Sequence, residues 1–365
     1  MSERERRESA PDPRTAAVSA VVVNFQGERY LERCLGALVA LGSELDEILL
    51  VDDASTDGGV ALVQRSFPQV RVVALEQNAG PCVVRNRGLA AARNRWVLLV
   101  DNDAVIERDA LRKLRAAASE RSAAVAQPRA VFDGDPSRVH YDGARFHYIG
   151  LLVLRNFHAP LEQAEGRGTI AMDGMTAVAL LVDREAIRAV GGFDEELFYL
   201  MEDYDLSFRL RLAGYAICSA EEALVRHMGG TAGLSFRADE YPARRAYFHS
   251  RNRCRLLLKN HQALSLILAF PALLLYELVW LGFTLKARLL GPYLRGKLRF
   301  LRELPRVLRQ RREVQRLRVV PDRELLVGGP LTLNPQLLAK PFSRRVALAL
   351  DALLRGWWRL VRRLA

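Results

Sequence analysis

From Val18 onward, short unbroken apolar runs alternate with segments whose apolar residues recur three or four positions apart. The first kind predicts buried strands and the second amphipathic helices. "VSAVVVN", "EILLVDD", "VRVVALE" and "WVLLVD" read as strands. Between them, three segments read as helices: "ERYLERCLGALVAL", with Leu31, Leu35, Leu38 and Leu41 on one face, "TDGGVALVQRSF", and "PCVVRNRGLAAARN", which a proline opens. The alternation predicts an α/β fold, a Rossmann-like and mostly parallel sheet with helices on both faces. Sheets of that kind take ligands beyond the carboxyl ends of their strands. Those ends carry Asn24, then Asp52 and Asp53, then Asp101, Asn102 and Asp103, so successive strands offer polar groups to one crevice.

Residues 128–172 are polar and weakly patterned, which predicts loops facing a substrate. "TAVALLVD" then reads as a strand, "REAIRAVGGF" as a short helix with a glycine stop, and "DYDLSFRLRLAGY" as a helix ending at Gly214. After residue 260 the character changes. An apolar run over 264–285 contains Pro271 and Glu277, a basic segment follows, and the chain closes on "RRVALALDALLRGWWRLVRRLA". The expected division is a disordered tail over 1–16, an α/β domain over 17–260, and a helical, apolar and basic region over 261–365.

Charge sharpens that last region. The 365 residues carry a net charge of +12, and residues 286–318 hold twelve Lys or Arg against only Glu303 and Glu313. The apolar run beside them is long enough for a bilayer core of about 30 Å. Together they predict contact with an anionic membrane surface on the cytoplasmic side. Basic residues on the C-terminal flank favour shallow or in-plane insertion over a span or a helix buried under the α/β domain, and Trp357 and Trp358 among arginines suit an interfacial helix. Nucleic acid is the rival partner, but no zinc finger, RNA-binding sheet motif or helix-turn-helix pattern accompanies the basic stretch. Cys34, Cys82, Cys218 and Cys254 are scattered without metal-site spacing, which fits a reducing compartment.

Asp101 and Asp103, two carboxylates one residue apart on a strand-to-helix turn, can both aim at one hard cation that in turn holds a diphosphate. The same residues also suit a turn or a helix cap. Asp203 sits where a later helix starts, a place for an N-cap, and also one from which it and Glu202 can face the crevice and accept a proton. Asp205 and Arg209 make an i,i+4 ion pair. His227, taken alone, reads as a packed or surface histidine.

The ordered set "VVVNFQGERYLERCL", "EILLVDDASTDGG", "NAGPCVVRNRGLAAARNRWVLLVDNDA", "GGFDEELFYLMEDYDLSFRLRLAGY" and "RHMGG" resembles the family 2 glycosyltransferases of GT-A fold, particularly their rhamnosyltransferase-like branch, over roughly residues 18–260. The resemblance implies a metal-dependent, inverting transfer of a sugar from a nucleoside-diphosphate sugar to a glycan or lipid-linked acceptor. It places the nucleotide base against Asp53 and backbone groups near Val23 and Phe25, and the sugar nucleotide near Arg85, Asp101 and Asn102. It makes Asp103 and His227, with Asp101, ligands of Mg2+ or Mn2+, Asp203 the catalytic base, and Glu202 a residue that orients the acceptor. Phe25 and Gln26 stand where the family usually has Tyr-Asn.

Two other classes fail on position. A nicotinamide-dependent oxidoreductase would carry its glycine fingerprint after the first strand, where this chain has "NFQGER", and an aspartyl phosphatase would carry its Asp pair there rather than after the fourth. The remaining alternative is a catalytically silent, membrane-associated carbohydrate-binding or assembly protein of the same fold.

Overall fold

Strands β1 (Val18–Asn24), β2 (Glu47–Asp52), β3 (Val70–Ala74) and β4 (Trp96–Asp101) run parallel, joined through helices α1 (Glu28–Val39), α2 (Gly59–Ser66) and α3 (Pro81–Ala91). The structure, a computed structural model, describes residues 11–229, 241–333 and 339–364. Alternate side chains of β1 feed two cores, as the pleat requires. Val18, Ala20 and Val22 pack with Leu31, Leu35 and Leu38 of α1 and with Leu111 and Leu114 of α4 (Ala110–Glu120). Val21 packs on the other face with Cys82, Val84 and Leu89 of α3.

The rest of the sheet is mixed rather than parallel. It contains β5 (Ala104–Ile106), β6 (Ala123–Phe132), β7 (Asp135–Tyr141), β10 (Thr169–Met172), β11 (Ala179–Asp183) and β12 (Ala216–His227); β8 (Ala144–His147) and β9 (Leu151–Leu154) lie elsewhere. Its order is β10-β12-β6-β11-β4-β1-β2-β3, with β5 on β12 and β7 on β6. β11 is antiparallel to both β4 and β6. Residues 128–172, expected as loops, therefore hold the end of β6 and all of β7 to β10. Their pattern misleads because the interior there is ionic: Arg129 is buried against Asp142 and Glu221, and Arg155 closes the group at 2.8 Å from Glu221.

Helices α5 (Arg184–Ala189) and α6 (Glu202–Leu212) cover the second face, and α6 buries Leu206, Leu210 and the following Ala213 there. The C-terminal region comprises α7 (Ala243–Asn260), α8 (Ala263–Lys286), α9 (Leu290–Arg316), α10 (Asp322–Leu325), β13 (Leu326–Val327) and α11 (Pro341–Val361). It shares a core with the α/β domain: Phe146, Tyr204 and Phe208 pack with Ala269, Leu325, Leu354 and Trp358, and β13 joins β8 and β9 in a three-stranded sheet.

Three expectations change here. Trp358 is not interfacial; it is buried, stacked on Tyr148 at 4.6 Å, and Trp357 donates to the Leu268 carbonyl on α8. Of the tail expected over 1–16, residues 1–10 lie outside the described residues, while Pro11, Pro13 and Ala16 are held by hydrogen bonds from Trp96 and Arg115. The basic segment is partly neutralised within the chain, since Arg299 pairs with Glu303, Arg306 with Glu196 and Arg318 with Asp322. Glu277, the anomaly in the apolar run, is matched by Arg253 at 2.8 Å and Lys297 at 2.6 Å and accepts from Tyr293.

Candidate active site

The end of β1 is built around the side-chain amides of Asn24 and Asn102. Asn102 donates to the Asn24 oxygen at 2.7 Å, and Asn24 donates to Asp52 at 2.6 Å. A Cβ on Gly27 would fall 2.1 Å from atoms of both asparagines, so only glycine lets α1 begin this close. Asp52 is spent on the turn, accepting from the backbone and hydroxyl of Ser55. Gln26 likewise holds the loop at Thr56 and Asp57, leaving Phe25 as the aromatic wall.

Asp53 accepts from the backbone N–H of Ala79 at 2.7 Å and of Gly80 at 2.9 Å, and burial still moves its carboxyl above its ordinary pKa. Gly80 has φ +88° and lies against Phe198, so the turn into α3 needs glycine there. The facing loop is strained: Phe198, Leu200 and Met201 all have positive φ. Such backbone persists only when its surroundings hold it. Asn252 on α7 does so, donating to the carbonyls of Leu197, Tyr199 and Leu200.

That loop delivers α6. Met201 is its N-cap, not Asp203; Asp203 lies in the first turn and reaches across to accept from the Ala177 N–H at 3.1 Å. Its Oδ1 and the Glu202 Oε2 are shielded from solvent without a hydrogen-bond partner. Burial, and then the neighbouring Glu202 charge, push the Asp203 carboxyl up to about 7. Arg85 links the two sides of the site, with Nη2 2.9 Å from Asp101 and Nη1 3.5 Å from Glu202. Its guanidinium is buried, and the carboxylates around it hold it firmly charged. Burial pushes Asp101 up to about 6 against the pull of Arg85, with Asp103 adding to the rise.

Asp103 and His227 meet because β5 and β12 pair antiparallel, His227 opposite Ala104, with Met228 N–H donating to the Asp103 carbonyl. The His227 Nε2 is 3.2 Å from Asp103 Oδ2. Its Nδ1 faces the Nδ1 of His140 at 2.9 Å, and the two rings stack 5.0 Å apart. His140 stacks in turn on Phe132, and burial drops its pKa to about 3, so this ring is neutral. No role for His140 was legible in the sequence. A cavity of about 240 Å3 joins these parts, and every residue expected at the site lines it: Val23, Phe25, Asp53, Arg85, Asp101, Asn102, Asp103, Glu202, Asp203 and His227.

Residues 19–181, which supply the strand ends of this cavity, match the family described as Glycosyl transferase family 2. They are similar to a family 2 glycosyltransferase domain. The domain is similar to the succinoglycan biosynthesis protein ExoO of Rhizobium meliloti, 34% identical over 110 residues that make up 30% of this chain and 32% of that protein. An N-acetylglucosaminyl-diphospho-decaprenol L-rhamnosyltransferase of Mycobacterium tuberculosis is 29% identical over 238 residues, 58% of this chain and 76% of the relative. The chain thus spans about a third of the first relative and about three quarters of the second. Among solved structures, GalNAc-T7 with UDP, GalNAc and Mn2+ shares the fold at a TM-score of 0.51 and 16% identity, over 66% of this chain and 51% of that one.

The cavity fits a divalent cation through the chemistry of its donors. Asp103 and His227 present a carboxylate oxygen and an imidazole nitrogen side by side. Among the described residues no three His, Cys or acidic side chains converge on one point, and Asp101, expected as a further ligand, is turned to Arg85. A two-residue site of this kind suits Mg2+ or Mn2+, whose other positions go to substrate phosphates and water. The cavity is also strongly acidic, with Asp53, Asp101, Asp103, Glu202 and Asp203 against Arg85 and Arg244. A diphosphate entering it meets repulsion that a divalent ion offsets.

Proposed function

We propose that the protein is an inverting glycosyltransferase that moves a sugar from a nucleoside-diphosphate sugar to a hydroxyl of a lipid-linked or other cell-surface glycan acceptor. The observation that carries this reading is one cavity holding Asp203, a carboxylate tuned to about 7, together with the Asp103–His227 pair. Asp203 takes the proton of the acceptor hydroxyl while its oxygen attacks the anomeric carbon; the nucleoside diphosphate leaves from the opposite side, so configuration inverts. Glu202 orients that hydroxyl, and the Arg85 fork meets the charge growing on the diphosphate. Asp53 and the backbone at Val23 and Phe25 receive the base, with Asn102 beside the sugar nucleotide. Asp103 and His227, with Asp101 nearby, would hold Mg2+ or Mn2+, which would supply charge neutralisation for the diphosphate.

The rhamnosyltransferase relative makes dTDP-rhamnose the first donor to test and UDP-hexoses the next. The catalytically silent alternative has no use for a tuned carboxylate and a cation pair in one pocket. Incubating the protein with dTDP- and UDP-sugars and lipid-linked acceptors is expected to release nucleoside diphosphate only when acceptor is present, with loss on EDTA treatment and recovery on adding Mn2+. Nucleotide binding without any release in every combination would favour the silent protein instead.

Membrane contact belongs to the same proposal. Apart from Val319, every large exposed apolar side chain among the described residues lies on α8, α9 or the α11 segment and its end. They fall in stripes: Leu264, Ile267, Phe270, Leu274 and Leu278 on α8, Leu294, Leu298, Leu301 and Leu308 on α9, and Phe342, Val346, Leu353 and Leu360 on α11. Arg302, Arg309, Arg312 and Arg316 are exposed on α9 without carboxylate partners among the described residues. Apolar stripes flanked by basic residues suit in-plane binding to anionic lipid at the cytoplasmic face. Among the described residues α8 alone is long and apolar enough to cross a bilayer, but its buried face, from Ser265 and Ala269 to Thr284, is committed to the protein.

His140 has a place in this scheme as a positioning residue. A metal-bound imidazole is fixed by the partner of its other nitrogen. His140→Ala is expected to weaken Mn2+ binding about tenfold or more by calorimetry, with the melting temperature of the metal-free protein little changed. Equal Mn2+ affinity in the variant would reduce His140 to a packing role.

A further inference from the structure

A second cleft, of about 370 Å3, lies beside the catalytic cavity, and Arg244 lines both. Its walls are Tyr247 and Phe248 of α7 and Pro292 of α9, with Arg244 and Arg295 at its edges. The partition between the two hollows is an aromatic stack, Phe198 on Phe248 at 5.5 Å, which the Arg244 guanidinium caps 5.1 Å from the Phe198 ring. Arg244 and Arg295 are exposed, and no carboxylate partner is present for either among the described residues. The helices on either side run in the same direction: Ser250 meets Tyr293, Arg255 meets Gln310 and Asn260 meets Gln315. Their first turns thus border the cleft together, and the exposed Leu294 and Leu298 continue from it along α9.

An apolar trough edged by uncompensated guanidiniums selects a ligand that is greasy along its length and anionic at one end. Arginine forks match phosphate oxygens in pairs, and aromatic and proline surfaces take hydrocarbon. We infer that this cleft binds the diphosphate and first isoprenoid units of a lipid-linked acceptor, with Arg244 and Arg295 on the diphosphate and the attached sugar reaching past Phe198 toward Asp203. The inference rests on the glycosyltransferase reading for what the sugar does next, but not for what the cleft binds. It also gives the apolar stripe of α9 a purpose, since the remaining lipid leaves the cleft along a surface suited to the bilayer. The acceptor diphosphate and the donor diphosphate then sit on different arginines, Arg85 serving the donor.

Binding of farnesyl diphosphate to the full-length protein in detergent separates the two claims. Wild-type protein is expected to bind it at least about tenfold tighter than farnesol or inorganic diphosphate, and saturating dTDP or UDP with Mn2+ should not displace it. Arg244→Gln with Arg295→Gln should lose about tenfold or more of that affinity, and Arg295→Glu a similar amount. Both positions are exposed and have no carboxylate partner among the described residues, so the variants should melt within a few degrees of wild type. Equal affinity for farnesol, unchanged affinity in both variants, or displacement by the nucleotide would each overturn the assignment. Cleft binding as described with no sugar transfer from any donor would instead overturn the enzymatic reading and leave the cleft standing.

Discussion

Asp203→Asn is expected to abolish sugar transfer while making the folded protein more stable above neutral pH. The amide can keep the contact to the Ala177 N–H but cannot accept the proton of an acceptor hydroxyl. Loss of a positioned general base lowers turnover by about 10²–10⁴-fold. Donor binding, read by the melting-temperature rise on adding nucleoside diphosphate and Mn2+, should persist. The stability gain follows from linkage. The folded carboxyl holds its proton up to about 7, whereas the unfolded one releases it near 3.8. Ionisation therefore opposes folding: the penalty is absent below pH about 4, grows as pH rises to about 7, and is complete above that. Removing it should raise stability by roughly 4 kcal/mol at pH 8 and by almost nothing at pH 4. In the wild-type enzyme the same titration should make kcat/KM climb through pH about 7. A pH-independent kcat/KM between 6 and 8, or an Asn variant of ordinary activity, would remove Asp203 from the role of base.

How much of this could be read in advance divides along a physical line. β1 to β4 and α1 to α3 obey local periodicity because each buries one apolar face against its nearest neighbours, so "VSAVVVN" and Leu31, Leu35 and Leu38 are legible without partners. The strand ends at Asp53 and Asp101 to Asp103 follow from the same alternation. Past residue 127 long-range charge joins the apolar cores in holding the chain. Arg129, Asp142, Glu221 and Arg155 form a buried group drawn from four places in the sequence, and single-chain patterning reads each as exposed. Arg251, Arg255 and Lys259 of α7 follow the same logic, buried against Glu303, Asp194 and Asp205, where a basic helix suggests a surface.

The same distinction explains two site residues. Of the two readings of Asp203, the N-cap fails because Met201 adopts positive φ and takes that position, which nothing in "LMEDYD" reveals. His140 was invisible because its meaning depends on β7, β6 and β12 lying side by side, with Phe132 opposite His227. Trp358 failed in the opposite sense: a Trp pair among arginines fits a lipid interface, yet the ring is the partner Tyr148 needs in the core joining the two regions. A residue type sets the menu of roles, and only the fold's register chooses among them.

Arg85→Met is expected to damage both halves of the site at once, because this single buried cation holds the strand side to the helix side. Its guanidinium lies 2.9 Å from Asp101 and 3.5 Å from Glu202, and the Asp203 charge also acts on it. Methionine can fill the volume, but Asp101, Asp103, Glu202 and Asp203 then face one another without that counter-charge. Breaking a buried pair by removing one partner costs about 3–5 kcal/mol. The sign with pH is fixed by the carboxylates. The loss is full where they are ionised, above pH about 6 to 7 as set by Asp101 and Asp203, and fades toward pH 4 as they take up protons. Arg85 lowers the Asp203 pKa, so without it the rise of kcat/KM with pH should move to the alkaline side of 7. With the diphosphate fork also gone, kcat/KM should fall about 10²–10³-fold at neutral pH, and Arg85→Lys should recover part of it by restoring charge without the fork. Calorimetric unfolding from pH 4 to pH 8 beside a donor titration checks every part. A melting difference that is independent of pH would mean that Arg85 contributes packing rather than charge.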